Sequence, residues 1–372
     1  MSKKVTVDRL VSINDLRKMI PIYGADITPV IQSEPGCGKS SLLSAMAVDF
    51  GDEWRRPGDE FPADKYQYIY VDCPVKDLAD VGMAIPVHED KRLEYYGNEL
   101  FQLDDPRPKV IMLDEFMKSP KLLQVLWTRL MLERMVGERR LPEGSIVFAT
   151  SNNQTDGVGD TMLAHAGNRV MILKMRKPND QEWTVWATDA KIHPLLRAWV
   201  SLNPSALASY LDGNQEQNPY IFRPENRNLS FVSPRSLAKC DVILRNKALV
   251  GEDVTVAALA GTIGESAAAS LGAFLTMDKD LTPPREILKN PTTATVSDRP
   301  IVLLTTLFNL VDVIEVQDDL TNAMKYIKRI KAEEIQAVFF SMVCQSQRTI
   351  KLVKTSKDIT DWAAKNFPLL MN

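Results

Sequence analysis

The chain has 372 residues with 45 Lys and Arg against 48 Asp and Glu, a formal charge of −3, so no global positive field draws it to duplex DNA. Hydrophobic residues at 45% and charged residues at 25% are globular proportions, which excludes disorder as the main state and provides for about two or three packed domains. No apolar run reaches the roughly 20 residues of a membrane span, and the opening Met1-Ser2-Lys3-Lys4-Val5-Thr6 lacks an apolar export signal, so a cytoplasmic protein with no membrane partner is expected.

Residues 1–178 alternate short β-like runs (28–31, 66–72, 109–113, 145–149 and 170–173) with periodic stretches, the pattern of a mostly parallel α/β sheet. From Pro178 onward apolar residues recur at three- and four-residue spacings over 181–190, 194–201, 234–245, 254–274 and 301–314, which reads as helix. An Asn/Gln-rich stretch at 213–228 and a proline-bearing one at 278–300 read as loops between helices. The expected division is an α/β domain over 1–178, a helical region over 179–277, and a loop with a helical extension over 278–372. Four scattered cysteines, Cys37, Cys73, Cys240 and Cys344, with three histidines, support neither a zinc cluster nor a disulfide framework.

The first chemical motif is Ser33-Glu34-Pro35-Gly36-Cys37-Gly38-Lys39-Ser40, set between an apolar strand and the helical run that opens at Ser41-Leu42-Leu43. That is the setting of a phosphate loop. Backbone N–H groups and the helix's positive end surround a phosphate, Lys39 reaches the β- and γ-phosphates, and the Ser40 hydroxyl ligates Mg²⁺. Ser33 stands where the usual pattern has glycine, and Cys37 reads as a small filler residue. About 70 residues on, Val110-Ile111-Met112-Leu113-Asp114-Glu115 is a buried strand ending in two carboxylates. Strand alternation sends them to different faces, so Asp114 is assigned to the metal and Glu115 to the attacking water. A third strand runs into Ser151-Asn152-Asn153, where an amide either senses a γ-phosphate or only forms a turn.

In this order and spacing the motifs over 33–40, 110–115 and 149–153 resemble an AAA+ ATPase, and more specifically the MoxR group, or dynein-related subfamily, in its bacterial and phage branch. Leu113-Asp114-Glu115-Phe116-Met117-Lys118-Ser119-Pro120 is similar to that group's Asp-Glu-x-x-(Arg/Lys)-x-x-Pro phrase. Leu132-Glu133-Arg134-Met135-Val136-Gly137 with Leu141-Pro142 resembles the hairpin before its first sensor strand. Residues 156–170, ending in Asn168-Arg169-Val170, look like its arginine-finger segment, and Phe231-Val232-Ser233-Pro234-Arg235 like its second sensor. The resemblance covers about residues 28–240.

It implies an AAA+ αβα phosphate-loop NTPase sandwich over 1–178 with a helix-2 insert at about 74–103, then a helical lid over 179–277. It implies an ATP hydrolase with ATP and Mg²⁺ as cofactors. ATP would lie on Glu34, Pro35, Gly36, Cys37, Gly38, Lys39, Ser40, Ser41 and Arg235, the metal on Ser40 and Asp114, and catalysis on Glu115, Lys39, Asn152 and Arg169. Asn152 would be sensor 1, Arg235 sensor 2, and Arg169 the finger reaching a neighbouring copy's γ-phosphate, in keeping with arginine's bidentate donors. Plain alternatives stand beside these roles: a surface arginine before a strand for Arg169, a helix-start arginine for Arg235.

The implied assembly is a homo-oligomeric ring, a hexamer, that remodels or activates a protein client, with a von Willebrand factor A domain protein as partner. The rival readings are a nucleic-acid motor or loader, and a nucleotide-gated scaffold that hardly hydrolyses ATP. Tyr95 and Tyr96 in the insert are either substrate-contacting aromatics or cross-strand packing, and the turn bearing Arg134, Arg139 and Arg140 is either a nucleic-acid contact or a solvated charged hairpin.

Overall fold

A computed structural model describes residues 9–51, 66–89, 91–153, 168–225, 229–356 and 359–362, in two units, Met1–Lys177 and Pro178–Asn372. The strands of the first unit are β1 (Leu10–Val11), β2 (Pro29–Ser33), β3 (Gln67–Asp72), β4 (Gly82–Val87), β5 (Arg92–Gly97), β6 (Lys109–Asp114), β7 (Met135–Val136), β8 (Arg139–Arg140), β9 (Ile146–Asn152) and β10 (Met171–Met175). Its helices are α1 (Ile13–Tyr23), α2 (Leu42–Asp49), α3 (Leu78–Val81) and α4 (Lys121–Glu133).

Six strands form one sheet in the order β1-β10-β2-β9-β6-β3, every pair parallel. Successive residues go to opposite faces. Ile31, Val110, Met112, Ile146 and Phe148 join Leu16 and Ile20 of α1 and Leu42, Leu43 and Met46 of α2. Val30, Ile111, Leu113, Val147 and Ala149 join Leu123, Trp127, Leu130 and Met131 of α4. Both faces are covered, which is why these strands read as unbroken apolar runs. A loop with left-handed glycines follows β2 and leads into α2, so the first unit is an α/β sandwich of the phosphate-loop NTPase fold.

Two features of this unit lie outside the predicted runs. β1 adds to the sheet edge beside β10, and α1 follows it through a capping box in which Ser12 Oγ accepts from Asp15 N at 3.1 Å while Ser12 N donates to the Asp15 carboxylate at 2.9 Å. Between β3 and β6, β4 and β5 pair as an antiparallel hairpin with Ala84 opposite Tyr95 and Met83 opposite Tyr96.

The second unit is helical: α5 (Asp180–Asp189), α6 (Pro194–Leu202), α7 (Pro234–Arg245), α8 (Lys247–Val250), α9 (Glu252–Ile263), α10 (Glu265–Gly272), α11 (Pro284–Lys289), α12 (Pro300–Val313), α13 (Gln317–Ile327), α14 (Glu333–Gln345) and α15 (Ile350–Val353). One hydrophobic core collects Trp183 and Trp199 with Leu303, Leu307, Leu310 and Ile314, which face it from α5, α6 and the α12 region. Trp186, by contrast, is 49% exposed.

The helix expected over 254–274 is two helices. Gly264, at φ 87°, ends α9 and opens α10, and a Cβ there would meet the Ser230 carbonyl oxygen at 3.0 Å, so the chain needs glycine at the break. The stretch 278–300 is not loop throughout, since α11 lies inside it with Ile287 buried. Among the described residues no helix is long and apolar enough to cross a membrane.

Candidate functional site

The site forms at the carboxyl ends of β2, β9, β6 and β3, where an open α/β sheet leaves backbone groups unpaired. The loop after β2 carries Gly36 at φ 76° and Gly38 at φ 93°, left-handed conformations in which glycine escapes the steric cost of a side chain. Between them, Cys37 is 1% exposed, and burial, with the nearby Glu34 charge, pushes its thiol up to about 11; Pro35, half-buried, precedes Gly36. A 3-10 turn, Lys39–Ser41, precedes α2, and Ser41 Oγ donates to Gly38 O at 2.7 Å.

Lys39, 6% exposed, is held by its own loop. Its Nζ donates to Ser33 O at 3.1 Å and to Ser33 Oγ, Glu34 O and Asn152 Oδ1 at 3.0 Å each. Ser33 therefore does not disturb the loop: it closes β2 in extended conformation, in register with Asn152, and its hydroxyl is one of the lysine's acceptors. Asn152 belongs to β9 itself, and the strand runs three residues beyond its predicted end at 149. Because β9 lies between β2 and β6, its amide sits next to the phosphate-loop lysine.

Asp114 ends β6 and is 5% exposed. Three hydroxyls converge on its carboxylate: Ser40 Oγ donates to Oδ2 at 2.9 Å, Tyr70 OH donates to Oδ2 at 2.8 Å, and Thr150 Oγ1 donates to Oδ1. Sequence reading missed Tyr70 and Thr150. Their signal was present in the alternation: Tyr70 shares a face of β3 with Asp72, and Asp72 lies opposite Asp114 in register.

Glu115 departs from expectation in its cause. It does not continue the strand's alternation; it leaves β6 at φ 51°, ψ 35°, and that left-handed turn separates its carboxylate from that of Asp114. Glu115 N donates to Thr150 Oγ1 at 3.2 Å, and Lys118 Nζ donates to Glu115 Oε2 at 2.5 Å. Asp72 adds a third carboxylate at this end of the sheet, its pKa raised from the ordinary value by burial and by the charges of Asp114 and Glu115.

A serine hydroxyl beside a buried aspartate is a hard-oxygen donor set that fits Mg²⁺, an ion bound through one or two carboxylates together with substrate phosphates. Among the described residues no group of three or more His, Cys, Asp and Glu side chains is placed to hold a metal without such help.

The other predicted site residues lie on other elements. Arg169 is exposed in the turn before β10, and residues 156–167 of the segment leading to it, His165 among them, lie outside the described residues. Arg235 is exposed in the first turn of α7 in the second unit, where Ser233 caps the helix through Ser236 N at 3.1 Å and Pro234 takes the first position. His193 Nδ1 accepts from Leu195 N at 3.2 Å at the start of α6.

Tyr95 packs over Gly82 and Gly137, its hydroxyl donating to Val81 O at 3.1 Å, whereas Tyr96 is 54% exposed. Two of the three arginines of the basic turn are engaged within the unit, and Arg140 is exposed. Arg134 donates to Ala25 O at 3.1 Å, Gly24 O at 2.9 Å and Thr28 Oγ1 at 2.8 Å, and Arg139 pairs with Asp104 at 2.7 Å.

No protein-family model matches the chain, and no curated protein matches it. Among solved structures, the RuvB Holliday junction branch migration motor of Thermotoga maritima is 11% identical, covering 76% of this chain and 75% of that one at a TM-score of 0.37. A Cytophaga hutchinsonii protein assigned as an ATPase is 12% identical, covering 91% and 83% at a TM-score of 0.33. PCH-2 of C. elegans is 12% identical, covering 72% and 67% at a TM-score of 0.29.

Proposed function

We propose that this protein is a Mg²⁺-dependent ATP hydrolase of the AAA+ class, in the MoxR group. One observation carries the hydrolase reading: Lys39 lies 3.0 Å from Asn152, and Ser40 lies 2.9 Å from Asp114, at the end of one parallel sheet. The MoxR assignment is supported by the sequence phrases alone, from Asp114-Glu115 through Lys118 to Pro120 and from Phe231 to Arg235.

In this reading the loop over 34–38 and the first turn of α2, with Ser41, cradle the phosphates through backbone N–H groups, and Lys39 exchanges its loop carbonyls for phosphoryl oxygens. Ser40 and Asp114 would hold the cation, which neutralises charge on the phosphates when bound. Glu115 accepts the proton of the attacking water on a carboxylate position that the Lys118 ion pair leaves open. Asn152 reports on the γ-phosphate from β9. Arg235, from a helical lid over 179–277, is assigned to nucleotide sensing, and residues 278–372 to a helical extension. Arg169 is assigned to the γ-phosphate of a neighbouring copy, so hydrolysis depends on a ring, a hexamer, that remodels a protein client such as a von Willebrand factor A domain protein.

The test is ATP turnover per subunit against protein concentration with Mg²⁺ present. The expected rate rises and saturates, and Arg169→Ala lowers the plateau by about a thousandfold, the scale of an arginine finger. A concentration-independent rate that Arg169→Ala leaves intact would mean a site complete within one chain. No nucleotide binding at all would overturn the hydrolase reading.

A further inference from the structure

We propose that Tyr70 is a positioning residue for the cation of bound ATP: its hydroxyl selects which oxygen of Asp114 is left to face the metal. This role rests on the hydrolase reading above. It begins with register. On β3 and β6, Tyr70 lies opposite Met112 and Asp72 opposite Asp114, so Tyr70 and Asp114 share a face one diagonal step apart. A phenol is long enough to span that step, and its hydroxyl reaches Asp114 Oδ2 at 2.8 Å.

A carboxylate has about four acceptor positions, two on each oxygen. Ser40 Oγ, at 2.9 Å, and Tyr70 OH occupy Oδ2, whereas Thr150 Oγ1 is the hydroxyl on Oδ1. The position left over is therefore on Oδ1. Asp114 is 5% exposed, so water is a poor replacement for any donor that is removed.

Without Tyr70, Oδ2 regains an open position and the carboxylate is pinned by its two strand-end and loop hydroxyls alone. Groups that orient a metal ligand typically change metal affinity by about 10–100-fold when lost. The experiment compares the full-length protein with Tyr70→Phe, which keeps the ring and removes only the hydroxyl. Mn²⁺, standing in for Mg²⁺, is titrated into the ATP-loaded chain and followed by electron paramagnetic resonance. Binding of a fluorescent ATP analogue is measured separately in EDTA.

The expected result is Mn²⁺ binding about tenfold weaker in Tyr70→Phe, with metal-free nucleotide affinity within twofold of the wild type. Equal Mn²⁺ affinity in the two chains overturns the proposal, as does a parallel loss of Mn²⁺ and metal-free nucleotide binding, which would mark a structural role. Tyr70→Met, of comparable reach, is read the same way should the phenylalanine chain not fold. A wild-type chain that binds the analogue and Mn²⁺ while Tyr70→Phe matches it leaves the hydrolase reading standing and removes only Tyr70. A wild-type chain that binds neither overturns both.

Discussion

Ser33 and Cys37 show how single residues of the phosphate loop are chosen by backbone shape. The loop's left-handed positions are Gly36 and Gly38, while Ser33 closes a strand, so a side chain there carries no backbone strain. Its hydroxyl becomes an acceptor for Lys39 at 3.0 Å. Cys37 is enclosed, and a thiol held at about 11 leaves roughly one molecule in a thousand as thiolate at pH 8. Iodoacetamide at that pH is expected to leave Cys37 unmodified in the native protein and to label it fully after denaturation, as peptide mass mapping would record. Labelling of the native protein at the denatured rate would mean the loop opens freely.

At the scale of elements, polar groups tie together the amino-terminal ends of β3 and β6. Lys109 is fully buried at the start of β6, its Nζ donating to Gln67 and, at 3.0 Å, to Asp105 O. The Arg107 guanidinium, with help from its backbone N–H and from Lys109, holds the Asp105 carboxyl down at about 2. A depressed carboxylate pKa stabilises the fold above its unfolded value, near 3.8, and that contribution fades as pH falls through about 2. Asp105→Asn is therefore expected to lower Tm by a few degrees between pH 5 and 7, with the deficit shrinking as pH falls toward 2, as melting curves across that range would show. A deficit independent of pH would place the effect in shape and not in charge.

The β4–β5 hairpin is anchored at Gly137, at φ 56°, where an added Cβ would sit 2.0 Å from the Tyr95 ring. Gly137→Ala is expected to cost about 1–3 kcal/mol through overpacking and backbone strain, read as a shift in urea midpoint. An unshifted midpoint would show that Tyr95 moves aside at no cost. The parallel strands were legible as apolar runs, but this hairpin's seat was not, because Gly82, Gly137 and Tyr95 are brought together only by folding.

At the scale of the whole molecule, the two units are built on different balances. The first buries both faces of a sheet. The second carries an ion pair inside its helical core: Arg197, with a side chain 0% exposed, lies on Asp312, donating from Nη1 at 3.1 Å, and its guanidinium carbon stands 5.0 Å from the Phe308 ring centroid. Removing one member of such a pair strands a buried charge, so Asp312→Ala is expected to destabilise the protein by about 3–5 kcal/mol in chemical denaturation. A loss under 1 kcal/mol would mean that water reaches Arg197 once the aspartate is gone.

By itself the sequence determined the alternation of strands and helices in the first half, the helical second half, and the placing of Lys39, Ser40, Asp114 and Asn152 at loop and strand ends, because apolar period and glycine spacing are local properties of the chain. Tertiary structure alone decided that Tyr70 and Thr150 clasp Asp114 and that Arg134 serves carbonyls of a distant turn. Those contacts join residues of different elements, and a hydroxyl or a guanidinium takes its partner from whatever unpaired group the fold sets within about 3 Å of it.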